Sequence, residues 1–219
     1  MITLTDFFRK TTLTYVKKEH ESGDIYTFFF KHDKHVKHVA GQHGLFILPK
    51  LKGLRIFSLA SAPDEAFVAI GTHVRAESEY KQRLAGLQPG DKLTMLGPVL
   101  NFTLPEEKRP VVFLSQGIGI TPFRSMLVHA ANSRDITLVH VDNPAHTYRE
   151  TTEPLTTQSF YVHDPEAFTE AVQLTVAAKA NTALYYLSGS PRFVQATKQT
   201  LLKNNIEAKN IKKDTFLGY

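Results

Sequence analysis

VVFLSQGIGITPF, residues 111–123, is the stretch that decides how the chain is read. VVFLSQ is a continuous apolar run of the kind that forms a strand buried on both faces. Gly117 and Gly119 then let the backbone come close to whatever lies above it. Thr121 can cap a helix, Pro122 suits a first helical position, and Phe123, Met126, Leu127 and Ala130 repeat at helical spacing. A strand, a glycine turn and a helix in that order place backbone amides at a helix N-terminus, where a pyrophosphate can bind. A bare Gly-x-Gly suits any tight turn, so the strand before it and the helix start after it carry the nucleotide reading.

The pattern continues downstream. ITLVHV (136–141) and ALYYLSGS (183–190) read as further strands, the second running into a helix that starts at Pro191. Strands alternating with helices imply a parallel sheet with nucleotide-binding capacity at the carboxyl ends of its strands. Residues 143–157 read as a long loop with room for a helical turn, placed to contact the ribose end of a dinucleotide.

Upstream, the proline-bounded segment PEEKRP (105–110) marks a change of pattern. Before it come short runs rich in Val, Ile, Phe, Tyr and Thr: TLTYVKKEH, IYTFFFKH, GLFILPK, LRIFSLAS, FVAIGTHVR and KLTMLGP, separated by SGD, AGQHG, SAPDE and QPGD. Such spacing suggests a small antiparallel barrel. Only residues 77–87 look helical there, with Tyr80, Leu84 and Leu87 on one face. The expected organisation is therefore an antiparallel β-barrel over 1–105 followed by an α/β domain with a parallel sheet over 106–219.

Composition narrows the chemistry. The 219 residues include no cysteine, which excludes disulfides, cysteine-ligated iron-sulfur clusters and cysteine nucleophiles, so electron chemistry must ride on an organic cofactor or a partner. No stretch is long and apolar enough for a membrane span and the N-terminus has no apolar signal core, so no membrane insertion and a cytoplasmic location are expected. Fourteen basic residues face ten acidic ones in 1–105, against twelve and eleven in 106–219, so the excess charge sits on the first half. That excess could steer an acidic protein partner. Nucleic acid is not expected, because the lysines are scattered between apolar positions and no nucleic-acid motif occurs. His32, His35 and His38 invite a metal reading, but their spacing suits a helix and the neighbourhood reads as strand and loop, so no metal site is expected. A serine hydrolase lacks its Gly-x-Ser-x-Gly elbow.

RIFSLAS (55–61) offers a cation, an aromatic ring and a hydroxyl in four residues: Arg55, Phe57 and Ser58. A flavin needs an apolar face to stack on, a cation near its phosphate and a polar group at its reactive edge. In a strand, Arg55 and Phe57 share one face and Ser58 takes the other, so a ligand along the strand edge could meet all three. Taken alone, the run is better explained by an ordinary amphipathic strand with one exposed Arg.

In order, AGQHGLFILP (40–49), RIFSLAS, a serine in SEYKQRL (78–84), PGDKLTMLGP (89–98), GIGITPFRSM (117–126), LSGSP (187–191) and KDTFLGY (213–219) resemble the ferredoxin-NADP reductase family of flavoproteins over nearly the whole chain. The resemblance implies an FAD-binding barrel followed by an NAD(P)-binding α/β domain. It implies that Arg55 pairs with the FAD phosphates, Phe57 stacks on the ring and Ser58 hydrogen-bonds near flavin N5. Ser78 would hold the pyrophosphate, and Thr72 and His73 would contact the adenosine half. Thr121 would reach both nucleotides, and Gly117, Gly119 and Pro122 would shape the turn for NAD(P)H. Ser188, standing where the family usually has Cys, and Asp214 would lie beside the nicotinamide, and Phe216, with Tyr219 as a competitor, would cover the flavin. Phe57 replaces the usual Tyr, Leu100 replaces a Gly, and Asp142-Asn143-Pro144 lacks the Arg that often recognises a 2'-phosphate. The implied activity is hydride transfer between NADH or NADPH and flavin N5, with electrons passed to a separate acceptor such as an acidic ferredoxin or flavodoxin. The alternatives are a free-flavin or ferric reductase and a non-catalytic FAD-binding module of a larger complex.

Overall fold

The computed structural model describes residues 9–33, 36–143 and 145–216. His35 and Tyr219 lie outside them. The chain divides into two compact units, Met1–Leu104 and Pro105–Tyr219.

In the first unit, β1 (Lys10–Ser22), β2 (Ile25–His32), β3 (His43–Ile47), β4 (Arg55–Ser58), β5 (Val68–His73) and β6 (Lys92–Val99) form one antiparallel sheet in the order β4-β3-β6-β1-β2-β5. Alternating burial along β1 sends Leu13 and Tyr15 inward, where they meet Phe28, Phe30, Phe46, Leu48, Ile70 and Met95. Phe28, Phe30 and Phe46 are fully enclosed. Truncating any of them to Ala would cost about 3–5 kcal/mol. Register shifts between Tyr15 and Lys17 and between His20 and Ser22 bend β1 and curl the sheet. The curl brings the edges together: Leu59, just past β4, bridges Ile70 of β5, and the Ala60 N–H donates to the Ala69 carbonyl at 2.8 Å. Helix α1 (Glu79–Ala85) starts at Ser78, whose hydroxyl accepts from the Lys81 N–H, and buries Tyr80 and Leu84. It is shorter than the 77–87 the spacing suggests, because Ser78 caps one end and Gly86 closes the other.

In the second unit, β7 (Val111–Gln116), β8 (Ile136–Val141), β9 (Gln158–Val162), β10 (Leu184–Gly189) and β11 (Ile211–Thr215) are all parallel, in the order β11-β10-β7-β8-β9. Helices α2 (Thr121–Ala130), α3 (Arg149–Thr152), α4 (Pro165–Lys179) and α5 (Pro191–Lys203) connect them. Leu114, Val139, Tyr185 and Leu187 pack with Phe168 and Val172 of α4 and Val194 and Leu201 of α5. Phe113 instead stacks on Phe123 of α2, with ring centroids 4.2 Å apart. Asp164 and Ser190 cap α4 and α5, each followed by proline at the first position. Thr121 does not cap α2. A 3-10 turn, Gly117–Ile120, runs directly into the helix, so Thr121 and Pro122 are its first two residues and the Thr121 hydroxyl donates to the Ile118 carbonyl at 2.7 Å. No helix among the described residues is long and apolar enough to cross a membrane.

Strand order sets where a ligand can lie in this unit. The chain moves from β7 to β8 and β9 on one side, then returns to β10 and β11 on the other. The carboxyl ends of β7 and β10 are therefore a topological switch point, where a crevice opens in sheets of this kind.

Candidate functional site

In the first unit the site residues gather along β4, an edge strand of the sheet. Arg55 is exposed and half-covers Tyr80, its guanidinium carbon 5.3 Å from the ring centroid. Phe57 is half-buried, 5.6 Å from the Phe46 ring and 6.2 Å from Tyr80. Arg55 and Phe57 thus share a shelf that Tyr80 supports from α1, its hydroxyl donating to the Phe46 carbonyl at 2.8 Å. Ser58 turns inward from the same strand and meets His43 of β3 at 3.0 Å.

The start of α1 carries both signs, with Glu79 in its first turn and Lys81 two residues on. Lys81 has its pKa pulled down by burial first, then by the neighbouring positive charge of Arg75 and Arg55, while Asp24 opposes the shift. Lys81 thus feels two arginines beside the capped helix start at Ser78, one of them, Arg75, paired with Asp24. His73 has a different role: it lies 2.6 Å from Asp24, which also accepts from Arg75 at 3.1 Å. Burial alone would raise the Asp24 carboxyl, but His73 and Arg75 outweigh it and hold it below its ordinary value. Thr72 is buried next to this pair.

In the second unit the switch point is built around Gly119. A Cβ there would lie 2.3 Å from the Ser188 carbonyl oxygen, so the turn rests directly on the β10 backbone. Gly117 has a positive φ of 51°, a left-handed conformation that side chains rarely adopt. Gln116 and Ser190 join the ends of β7 and β10 by a 2.7 Å hydrogen bond. A groove of about 490 Å³ opens beside them between α4 and α5, floored by Phe168 and Phe193 and edged by Arg192.

One row of polar side chains crosses this sheet near its carboxyl end. Asp214, Ser188, Ser115, His140 and Tyr161 are register partners on β11, β10, β7, β8 and β9 in turn. Ser188, Ser115 and His140 are fully buried. Ser115 and His140 are hydrogen-bonded at 2.9 Å, and the Ser188 hydroxyl has no hydrogen-bond partner among the described residues. Phe216, half-buried beyond β11, donates its N–H to the Gly189 carbonyl at 3.0 Å.

The segment after β8 does form helical turns, at α3 and at Glu153–Leu155. His146 anchors it, with ring centroids 5.4 Å from His140, 4.5 Å from His163 and 5.1 Å from Tyr161. Burial first, and then the charge of His140 and His163, holds the His146 pKa down at about 4. Asp142 accepts from the Asn143 N–H at 2.9 Å and the Thr147 hydroxyl at 3.3 Å, and lies 3.6 Å from His140. Its carboxyl falls below the ordinary value: burial opposes this, and His140 with the two local donors prevails.

Thus Arg55, Phe57 and Ser58 come together on one edge strand, and Ser78 caps the start of α1. Gly117, Gly119, Thr121, Pro122, Ser188, Asp214 and Phe216 all lie at the carboxyl end of the parallel sheet. Reasoning from sequence missed Tyr80, Lys81, His43, Gln116 and the Phe168–Phe193 floor. The alternation in RIFSLAS gave no signal of which aromatic would lie under the shelf.

No family model matches the chain. It is 29% identical over 214 residues to a flavohemoprotein of Bacillus subtilis, covering 82% of this chain and 52% of that protein. It is 42% identical over 95 residues to a ferredoxin–NADP reductase B of Sorangium cellulosum, covering 40% of this chain and 38% of that protein. The chain spans about half or less of the length of the curated relatives it matches. Among solved structures it superposes with a TM-score of 0.78 on the flavohem-like FAD/NAD binding domain of nitric oxide dioxygenase from Vibrio cholerae, at 21% identity, covering 94% of this chain and 98% of that one.

Proposed function

We propose that this chain, whose homologues and structural neighbours are ferredoxin-NADP reductase-like FAD/NAD-binding domains, is an FAD-dependent oxidoreductase that takes a hydride from NADH or NADPH and passes electrons to a separate acceptor. The observation that carries this reading is the β4 edge: an exposed arginine, an aromatic shelf and a buried hydroxyl one residue on, with Lys81 and the capped start of α1 at Ser78 in the same unit.

These residues fit the group. Phe57, backed by the buried Tyr80, offers apolar surface for a planar ring, Arg55 a cation for its phosphate, and Lys81 charge for a second phosphate. That second phosphate is the reason to prefer FAD to FMN. In the other unit, the Gly117–Ile120 turn offers backbone to a pyrophosphate, and the groove floored by Phe168 and Phe193 offers apolar walls to a base. Bound there, the flavin would supply the hydride-accepting centre and the nicotinamide the hydride. In the first unit Ser58 would offer a hydrogen bond at the flavin's reacting edge, and in the second Ser188 and Asp214 would lie beside the nicotinamide.

The acceptor is a protein that the basic first half can attract, ferredoxin and flavodoxin being candidates. A haem protein is a second acceptor, favoured because several relatives are flavohemoproteins. The reading is tested by purifying the chain, identifying heat-released cofactor and adding NADH or NADPH without oxygen. FAD and a bleached flavin band support it. Release of FMN would move Lys81 out of the cofactor site, and FAD that stays oxidised would leave a binding module.

A further inference from the structure

Ser58 is not held by its own strand alone. Its hydroxyl lies 3.0 Å from Nε2 of His43, its register partner on β3, and both side chains are buried, at 4% and 3% exposure. The backbone that carries the imidazole is held on several sides. Gln42, the residue before it, accepts from the Val39 N–H at 2.8 Å, donates to the Leu100 carbonyl at 3.3 Å, and receives the Leu59 N–H on its own carbonyl at 2.9 Å. His43 also pairs with Val99 at the end of β6. Pairing with β4 and β6 and the bonds made by Gln42 therefore hold the backbone that carries His43, and its ring meets the serine.

We propose that His43 is a positioning residue for the reaction: it sets which way the Ser58 hydroxyl proton points. A neutral imidazole nitrogen can donate or accept, depending on its tautomer. When Nε2 carries the proton it donates to the Ser58 oxygen, and the hydroxyl proton is directed away from the ring. When Nε2 is bare it accepts a hydrogen bond from the hydroxyl, and the serine oxygen is left to accept. The tautomer of His43 therefore selects whether Ser58 presents a proton or a lone pair to a bound group. An aliphatic pair at these register positions would fill the space and could do neither.

The proposal rests on the FAD reading above, and the experiment separates the two. The chain is prepared as wild type, His43→Gln, His43→Phe, Ser58→Ala and the double variant His43→Phe/Ser58→Ala. FAD occupancy, the flavin absorption maximum and the single-turnover rate of anaerobic reduction by NADH are measured for each. Wild-type protein that holds no FAD overturns the function, not the pairing. With FAD bound, His43→Phe and Ser58→Ala should each slow reduction by about tenfold, roughly 1.4 kcal/mol, and shift the absorption maximum alike. The double variant should be no slower than either single, since one residue acts through the other. His43→Gln, which returns a nitrogen within reach of the hydroxyl, should recover the rate to within about twofold. Multiplying effects in the double variant, or a His43→Phe protein that matches wild type, would overturn the proposal. If His43→Phe does not fold, His43→Gln still decides: a rate as slow as that of Ser58→Ala counts against it.

Discussion

Replacing Gly119 by alanine would set a Cβ 2.3 Å from the Ser188 carbonyl oxygen, 2.7 Å from its carbonyl carbon and 2.9 Å from the Gly189 Cα. Ordinary contact begins about 1 Å farther out, and the obstacle is the backbone of β10, pinned by β7 on one side and β11 on the other. If the structure resists, overpacking of this kind costs about 3 kcal/mol. For a unit of this size that is roughly 10 °C in Tm. If the structure yields, Ser188 moves by about 1 Å, and misplacement on that scale can slow a chemical step by about a hundredfold. Gly117→Ala is the control, because its methyl group would meet only Asp142 Oδ1 at 3.8 Å and the cost is that of a left-handed alanine, about 1 kcal/mol. Differential scanning calorimetry and stopped-flow reduction by NADH read the two effects. A Gly119→Ala protein that melts within 2 °C of wild type, a bound of about 0.5 kcal/mol, and reduces at the wild-type rate would refute the close-approach reasoning. So would a Gly117→Ala protein that suffers more.

Three other outcomes are expected. His146 has its pKa held near 4, against 6.5 for the ordinary imidazole. Between those values the unfolded chain binds more protons than the folded one, so stability rises with pH across the window and is lost on acidification, by about 2 kcal/mol. His146→Phe should flatten the Tm profile between pH 4 and 6.5, and an unchanged slope would assign the effect elsewhere. NADH should serve at least as well as NADPH, since Asp142 would repel a 2'-phosphate; a tenfold preference for NADPH in kcat/KM, about 1.4 kcal/mol, would contradict this. Phe216→Ser should tighten NAD(P)+ binding and alter the flavin band while leaving FAD in place, whereas Asp214→Ala should mainly slow flavin reduction. If Tyr219→Ser produces the first result and Phe216→Ser does not, the covering aromatic is Tyr219.

The elements that rest on periodicity were legible in the sequence. IYTFFFKH coincides with β2, and the apolar run VVFLSQ with β7, because burial on one or both faces writes itself into residue spacing. The turn at 117–120 was legible as a turn but not as a continuous entry into α2, since Thr and Pro suit both the cap and the first turn. Pairing across strands was not legible. His43 and Ser58 are fifteen residues apart and meet only because β3 and β4 are in register, and the same holds for Ser115 with His140. Tyr80 looked like a core residue at helical spacing, and it is one. Its position beneath Arg55 follows from the docking of α1, which no local pattern encodes.

The row from Asp214 to Tyr161 marks where this fold keeps less stability than it could have. Sheet positions so deeply enclosed are ordinarily filled by Val, Ile or Leu, and here the buried hydroxyl of Ser188 has no hydrogen-bond partner among the described residues. A chain selected only for heat resistance would lose this row early, Ser188 by Ala first, at a gain of about 1 kcal/mol. At this one point of the carboxyl end a polar side chain stands unsatisfied in a sheet otherwise packed with apolar ones.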